Sequence, residues 1–393
     1  MNIKQEIGAT HIYERVGEAW SETALIAPTT NTVNGACAVN NGVVAPPNVA
    51  IQLLPGTAHL FGRLRSIKMM CCAHNECATL HPTVPHHSHM TDDALQPDPS
   101  LIGGVPKPPL AFLPEPVKLF QARARRFAFL AEGHDLAAYL TFLAELSRLQ
   151  ARLAATLPAL APLPPEWMAK AADGGMPPID RSRLVDDPAL AATLQALLVG
   201  AAELDMPEAG REALDAVRMS DTRDRQWLLG NVLADDIPAD AIAPHLFVAA
   251  AVQVHLSRLA ATLDAAALTP VAAGVCPACG GRPATSSVTG AQGIENVRYA
   301  SCGGCATRWN EVRVKCLCCG STKGISYRSV GTDEATVKAE LCSECKSWVK
   351  ILYQVRNASL DPVADDVGSL GLDMLMRDAD FTRGSFNPFI VGY

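Results

Sequence analysis

Residues 299–322 read YASCGGCATRWNEVRVKCLCCGST and contain five of the chain's thirteen cysteines. A CPACGG pair at Cys276 and Cys279 lies upstream and a CSEC pair at Cys342 and Cys345 downstream, so nine cysteines fall within seventy residues. Their spacing is a tandem repeat. Cys276, Cys279, Cys302 and Cys305 recur forty positions later as Cys316, Cys319, Cys342 and Cys345. In each copy 22 residues separate two CxxC pairs, the layout of a four-thiolate zinc ribbon or rubredoxin-like site. Two residues between cysteines let a tight knuckle turn both sulfurs toward one ion, and two knuckles supply a tetrahedron. The quoted stretch is where the second knuckle of one site meets the first knuckle of the next. Cys318 stands outside the period. KCLCCG offers Cys318 or Cys319 as the partner of Cys316, and both the CxxC geometry and the repeat select Cys319. Cys318 is then a spare thiol, for which a reactive role requires a lowered pKa.

The segments between the pairs read as short hairpins: ATSSV and NVRYAS around GAQG, then ISYRSV and TVKAEL around GTDE. Gly280 and Gly320 follow the first pair of each copy, where a residue without Cβ lets backbone N–H groups approach sulfur. Modules this small bury little apolar surface, so metal coordination is expected to supply folding energy. Four thiolates accept Zn(II) and mononuclear iron alike. Iron–sulfur clusters also take four cysteines, although paired knuckles on hairpins suit a single ion better. Arg298, Arg308, Arg313, Lys315, Lys323, Lys346 and Lys350 surround these pairs, and some of them are expected to offset thiolate charge.

The rest of the chain bounds the function. Its 393 residues suggest two or three domains. The apolar run LFVAAAV at Leu246–Val252 is far shorter than the roughly 20 residues of a membrane span, so no membrane insertion is expected. MNIKQEIGATHIYERVGEAW carries Glu6, Glu14 and Glu18 and no apolar run typical of a secretory signal. The expected location is the cytoplasm, where thiols persist reduced and CxxC pairs favour metal over disulfides. A net charge of −7 argues against a general nucleic-acid coat.

Composition changes near residue 90. The first 91 residues hold seven asparagines and no aspartate, and six of ten histidines lie between His59 and His89. The tract CCAHNECATLHPTVPHHSHM offers Cys71, Cys72, His74 and Cys77 to a metal. The plainer reading, that 1–95 is a disordered extension or a mis-called start, is preferred.

From Phe112 the pattern is helical. Phe120, Ala124, Phe127 and Ala131 share one face, with Pro116 in the first turn and Gly133 at the end. Leu136, Tyr139, Leu140, Leu143 and Leu146 form the stripe of a second helix that APLPPEW, from Ala161, terminates. Further helices are expected over 187–203, 207–218, 221–234 and 240–266. Arg123, Arg125 and Arg126 read as a solvated basic face, and His245 and His255 as packed or surface residues rather than ligands. The expected architecture is α+β: a helical domain over 108–268, metal modules over 272–312 and 313–356, and a C-terminal helix and tail over 357–393.

RYASCGGCATRW, VRVKCLCCGS, AELCSECKSWVKILYQ and ADDVGSLGLDMLMRDADFTRGSFNPF, together with PPLAFLPEPVKLFQARARRFAFLAEGHDLAAYLTFLAEL, resemble the formate dehydrogenase accessory protein (FdhE) family from roughly residue 108 onward. The resemblance implies a cytoplasmic assembly factor, not an enzyme. Such a factor binds the catalytic subunit of respiratory formate dehydrogenase, which carries a molybdenum or tungsten cofactor. It also implies two mononuclear metal ions, with iron favoured and zinc compatible, on Cys276, Cys279, Cys302, Cys305, Cys316, Cys319, Cys342 and Cys345. A homodimer is compatible with it. Two rival functions stand beside it: a rubredoxin-like electron carrier, and a zinc-ribbon nucleic-acid binder, which the scarcity of stacking aromatics disfavours.

Overall fold

The computed structural model describes residues 108–390 apart from 292 and 378, and before them only the backbone of six strands. Those strands, β1 (Asn2–Glu6), β2 (Ala9–Val16), β3 (Ala19–Pro28), β4 (Ala38–Asn40), β5 (Val43–Ala45) and β6 (Val49–Leu53), belong to a separate unit ending at Pro97. They pair as an antiparallel sheet in the order β1-β2-β3-β6 and as the hairpin β4-β5. The extension expected over 1–95 falls on this unit. The Cys/His tract at 71–90 lies outside the described residues.

The second unit opens with the two-residue strand β7 (Ala111–Phe112) and then turns helical. Helix α1 (Pro116–Ala131) starts on a proline whose missing N–H costs nothing in a first turn, and Gly133 at φ 69° reverses the chain into α2 (Ala137–Thr156). The helix α2 stops at Thr156, just before Pro158 and ahead of the expected APLPPEW stop. That proline-rich segment instead starts a helix the pattern did not show, α3 (Pro165–Asp173), with Pro165 in its first turn. Asp187 caps α4 (Pro188–Ala201) by accepting from the Ala189 and Leu190 N–H groups at 2.7 and 2.8 Å. Then come α5 (Glu208–Met219), α6 (Thr222–Leu233) and α7 (Ile242–Ala260).

Helix α7 is the axle of the domain. From His245 to Ser257 every residue is buried, so the helix is enclosed all round and mostly apolar. By length and composition it also passes for a membrane span. Its two histidines are core residues, as expected. His245 Nδ1 lies 2.6 Å from the Ala241 carbonyl, and burial lowers the pKa of both rings. The helix ends at Ala260, short of the expected 266, and only a brief 3₁₀ turn at Ala265–Ala267 follows.

Both expected hairpins are present: β8 (Pro283–Val288) with β9 (Arg298–Cys302), and β11 (Ile325–Arg328) with β12 (Val337–Cys342). Each copy adds a third strand, β10 (Arg308–Glu311) or β13 (Ser347–Tyr353). The copies do not stay apart. Parallel pairing of β13 with β8, Ile351 opposite Ser286, joins them into one sheet in the order β11-β12-β13-β8-β9-β10-β7. Helices α8 (Ala364–Gly368) and α9 (Leu370–Arg377) follow, and strand β14 (Thr382–Arg383) pairs with β13. The final segment then returns to the core, where the Phe386 N–H donates to the Pro283 carbonyl and the Tyr139 hydroxyl donates to that of Phe389.

Candidate metal centres

The eight cysteines of the repeat gather into two groups, Cys276, Cys279, Cys302, Cys305 and Cys316, Cys319, Cys342, Cys345, with the sulfurs of each group within 4.8 Å of one another. In the first, Cys276–Cys305 and Cys279–Cys302 are each 3.6 Å apart; in the second, Cys316–Cys345 and Cys319–Cys342 are 3.6 and 3.7 Å apart. Disulfide sulfurs would be about 2.05 Å apart. Four sulfurs about 2.3 Å from a central ion stand about 3.8 Å from one another in a tetrahedron. Both groups therefore fit a single Zn(II) or mononuclear iron.

The backbone makes each knuckle the same way. The residue after the second cysteine of every CxxC pair is left-handed: Gly280 at φ 74°, Ala306 at 61°, Gly320 at 76° and Lys346 at 56°. The Gly280 and Gly320 N–H groups close each turn, donating to the carbonyls of Cys276 and Cys316 at 2.9 and 3.0 Å. A backbone N–H does approach sulfur in the second group, that of Cys318, 3.3 Å from Cys316 Sγ. Cys318 itself stays out of the second group. Burial and the neighbouring Cys345 push its thiol pKa up, opposite to what a reactive role requires.

Surroundings distinguish the two centres. In the first, all four cysteines are buried, and the helical domain holds both knuckles. The Ile179 N–H donates to the Ala278 carbonyl at 3.0 Å, and Gln253 on α7 donates through Nε2 to that of Gly303 at 2.8 Å. Asp235, left-handed at the end of α6, accepts from the Arg282 N–H at 2.8 Å and from Arg181 at 2.9 and 2.6 Å. Hydrogen bonds from Cys276 and its neighbours, aided by the Arg181 guanidinium, hold the Cys302 thiol well below its ordinary pKa, while burial pushes Cys276 up. In the second centre Cys319 is exposed and Cys345 half-buried.

The cations expected to offset thiolate charge mostly serve carboxylates. Arg298 Nη2 lies 2.7 Å from Glu340, Lys315 3.0 Å from Glu311, Lys346 3.4 Å from Asp380 and Lys350 3.0 Å from Asp366. Arg181, whose charge acts on Cys279 and Cys302 of the first centre, comes from the helical domain and carried no signal in sequence. Arg123 and Arg126 are likewise not a solvated face: they pair with Asp361 and Asp365 near the start of the C-terminal segment at 3.3 and 2.6 Å, and only Arg125 of the three is exposed.

Three family models match in succession: "FdhE, N-terminal" over 108–273, "FdhE, central domain" over 275–313 and "FdhE, C-terminal domain" over 314–390. The chain belongs to the FdhE family. A protein FdhE homolog of Rhizobium meliloti is 53% identical over 306 residues, 77% of this chain and 100% of the relative. One from Pseudomonas aeruginosa is 35% identical over 282 residues, 70% of this chain and 90% of the relative. The crystal structure of the FdhE protein from Pseudomonas aeruginosa superposes with a TM-score of 0.65 at 34% identity, covering 72% of this chain and 99% of that one. The boundaries between the FdhE models fall where the helical domain gives way to the first knuckle and where the first copy gives way to the second.

Proposed function

We propose that the chain binds the immature catalytic subunit of a respiratory molybdenum or tungsten formate dehydrogenase in the cytoplasm and is needed for its maturation. The observation that carries this reading is FdhE family membership across 108–390 with both four-sulfur groups in place. The eight cysteines ligate two mononuclear ions, iron by the family resemblance. An ion at the first centre fastens the sheet to the helical domain, because Ala278 and Gly303, on its two knuckles, are already bonded to Ile179 and Gln253. The chain acts by presenting surface to its client rather than by catalysis, and no part of it inserts stably in a membrane.

The test is formate oxidation in a strain lacking the gene, with the catalytic subunit quantified by immunoblot. Lost activity that returns with the intact gene, but not with a Cys276→Ser, Cys279→Ser variant, supports the assembly role and its dependence on the first centre. Unchanged activity and subunit sink it. Exposure of Cys319 favours a second reading, electron transfer through the second centre. Purified protein holding only zinc rules that reading out, since zinc has no redox chemistry.

A further inference from the structure

A groove of about 770 Å³ runs between α1 and the 358–363 segment that follows β13, with Cys302 of the first centre at its base. Five basic and two acidic side chains line it, in a chain whose net charge is −7. Arg123 and Arg126 are committed to Asp361 and Asp365. Arg308 is not committed: it stacks 5.1 Å over the Phe112 ring and has no carboxylate partner among the described residues. Arg125 on α1 is exposed and also lacks one.

Beside Arg308 stands Ser301, its register partner across the β9–β10 pair. Residues directly opposite in antiparallel strands share one face of the sheet, and both line the groove. Ser301 is 3% exposed, and its hydroxyl has no hydrogen-bond partner among the described residues. A buried hydroxyl without a partner carries a desolvation penalty that an incoming acceptor would relieve. Beside an uncommitted guanidinium, that acceptor is an anionic oxygen. At about 770 Å³ the groove is too large for one small anion, and Leu113, Leu119 and Val363 give it apolar lining, with Phe129, 61% exposed, also lining it.

We propose that this groove binds an extended, acidic, partly apolar peptide segment of the client, its carboxylates on Arg125 and Arg308 and one oxygen accepting from Ser301. The assignment rests on the client-binding reading above and names the surface that performs it.

The experiment is photo-crosslinking in cells with full-length protein carrying p-benzoylphenylalanine at Phe129, or at Met219 on another exposed surface as the comparison. Adducts with the formate dehydrogenase catalytic subunit are mapped by mass spectrometry. The expected result is an adduct from position 129 in a segment rich in Asp and Glu, weakened about tenfold by Arg125→Glu, on the scale expected for reversing a contact charge. Arg308→Gln is expected to act in the same direction, with metal content and circular dichroism confirming its fold. Adducts from 219 but not 129 overturn the groove while client binding stands. An adduct from 129 that neither substitution changes overturns recognition by charge. Saturable binding of inorganic pyrophosphate, abolished by Arg308→Gln while adducts from 129 persist, makes this a small-anion site and overturns the peptide assignment. Failure of the unmodified protein to co-purify with the subunit, with no adduct from either position, removes the client-binding reading itself.

Discussion

Arg126 Nε and Nη2 donate to Asp365 Oδ2 and Oδ1 at 2.9 and 2.6 Å, closing a contact between residues 239 apart in sequence. The pair is sheltered, with side chains 11% and 4% exposed, and joins α1 to α8. Arg126→Lys keeps the charge and loses the planar fork. We expect a destabilisation of about 1–3 kcal/mol and a melting temperature lower by several degrees. Calorimetry showing an unchanged transition would mean that the pair contributes nothing.

Lys350 lies wholly buried between Asp366 and Asp373, and Arg383 reaches the same two carboxylates. Lys350→Met leaves those carboxylates short of a cation and is expected to cost about 3–5 kcal/mol. Lys350→Met combined with Asp373→Asn should recover part of this loss. Denaturant midpoints for the two variants check both statements.

The same cluster sets an acid limb. Burial opposes ionisation of Asp366, but Arg383 and Lys350 outweigh it and hold its pKa below the ordinary 3.8. A lowered folded-state pKa adds stability that is fully present above the unfolded value and lost as pH falls through the folded one. Asp373 has the opposite sign: burial outweighs the same cations and raises its pKa, so its ionisation opposes folding at neutral pH. Asp366→Asn should therefore flatten the loss of stability on acidification between about pH 5 and pH 1. Stability curves for Asp366→Asn and wild type that fall in parallel over this range would place the acid transition elsewhere.

The two centres should lose metal in order. Cys319 and Cys345 let a chelator reach the second, while all four cysteines of the first are buried. Under native conditions we expect one equivalent of metal to be released early and the other only with unfolding, followed by a chromogenic chelator alongside circular dichroism. Cys319→Ser should abolish the early phase alone. Two equivalents leaving together, before any loss of helix, would contradict this.

Gly274 sits at φ 66°, and a Cβ there would overlap the Leu317 carbonyl oxygen of the second copy's first knuckle. The chain entering the first knuckle thus passes directly against the next copy. Gly274→Ala meets both left-handed strain and a clash with rigid backbone, and should cost more than about 2 kcal/mol. Gly133→Ala, also left-handed but in open space, isolates the strain alone and should cost less. Equal losses measured for the two would remove the close approach from the explanation.

What the sequence determined by itself was local and periodic. Cysteine spacing, the forty-residue period, the hairpins and most helix positions depend on residues near one another in the chain, and their physics is knuckle geometry, alternation and one apolar face. Tertiary structure decided what those elements do to one another. The pairing of β13 with β8 made one sheet of two copies, because an edge strand satisfies its backbone groups wherever a partner is offered. Arg123 and Arg126 read as a solvated face, Lys350 as a cation beside thiolates and Arg181 as nothing in particular, until the fold placed them beside Asp361, Asp365, Asp366 and Asp235. A buried cation is stable only with a partner, and which carboxylate becomes that partner depends on packing, which no local pattern records.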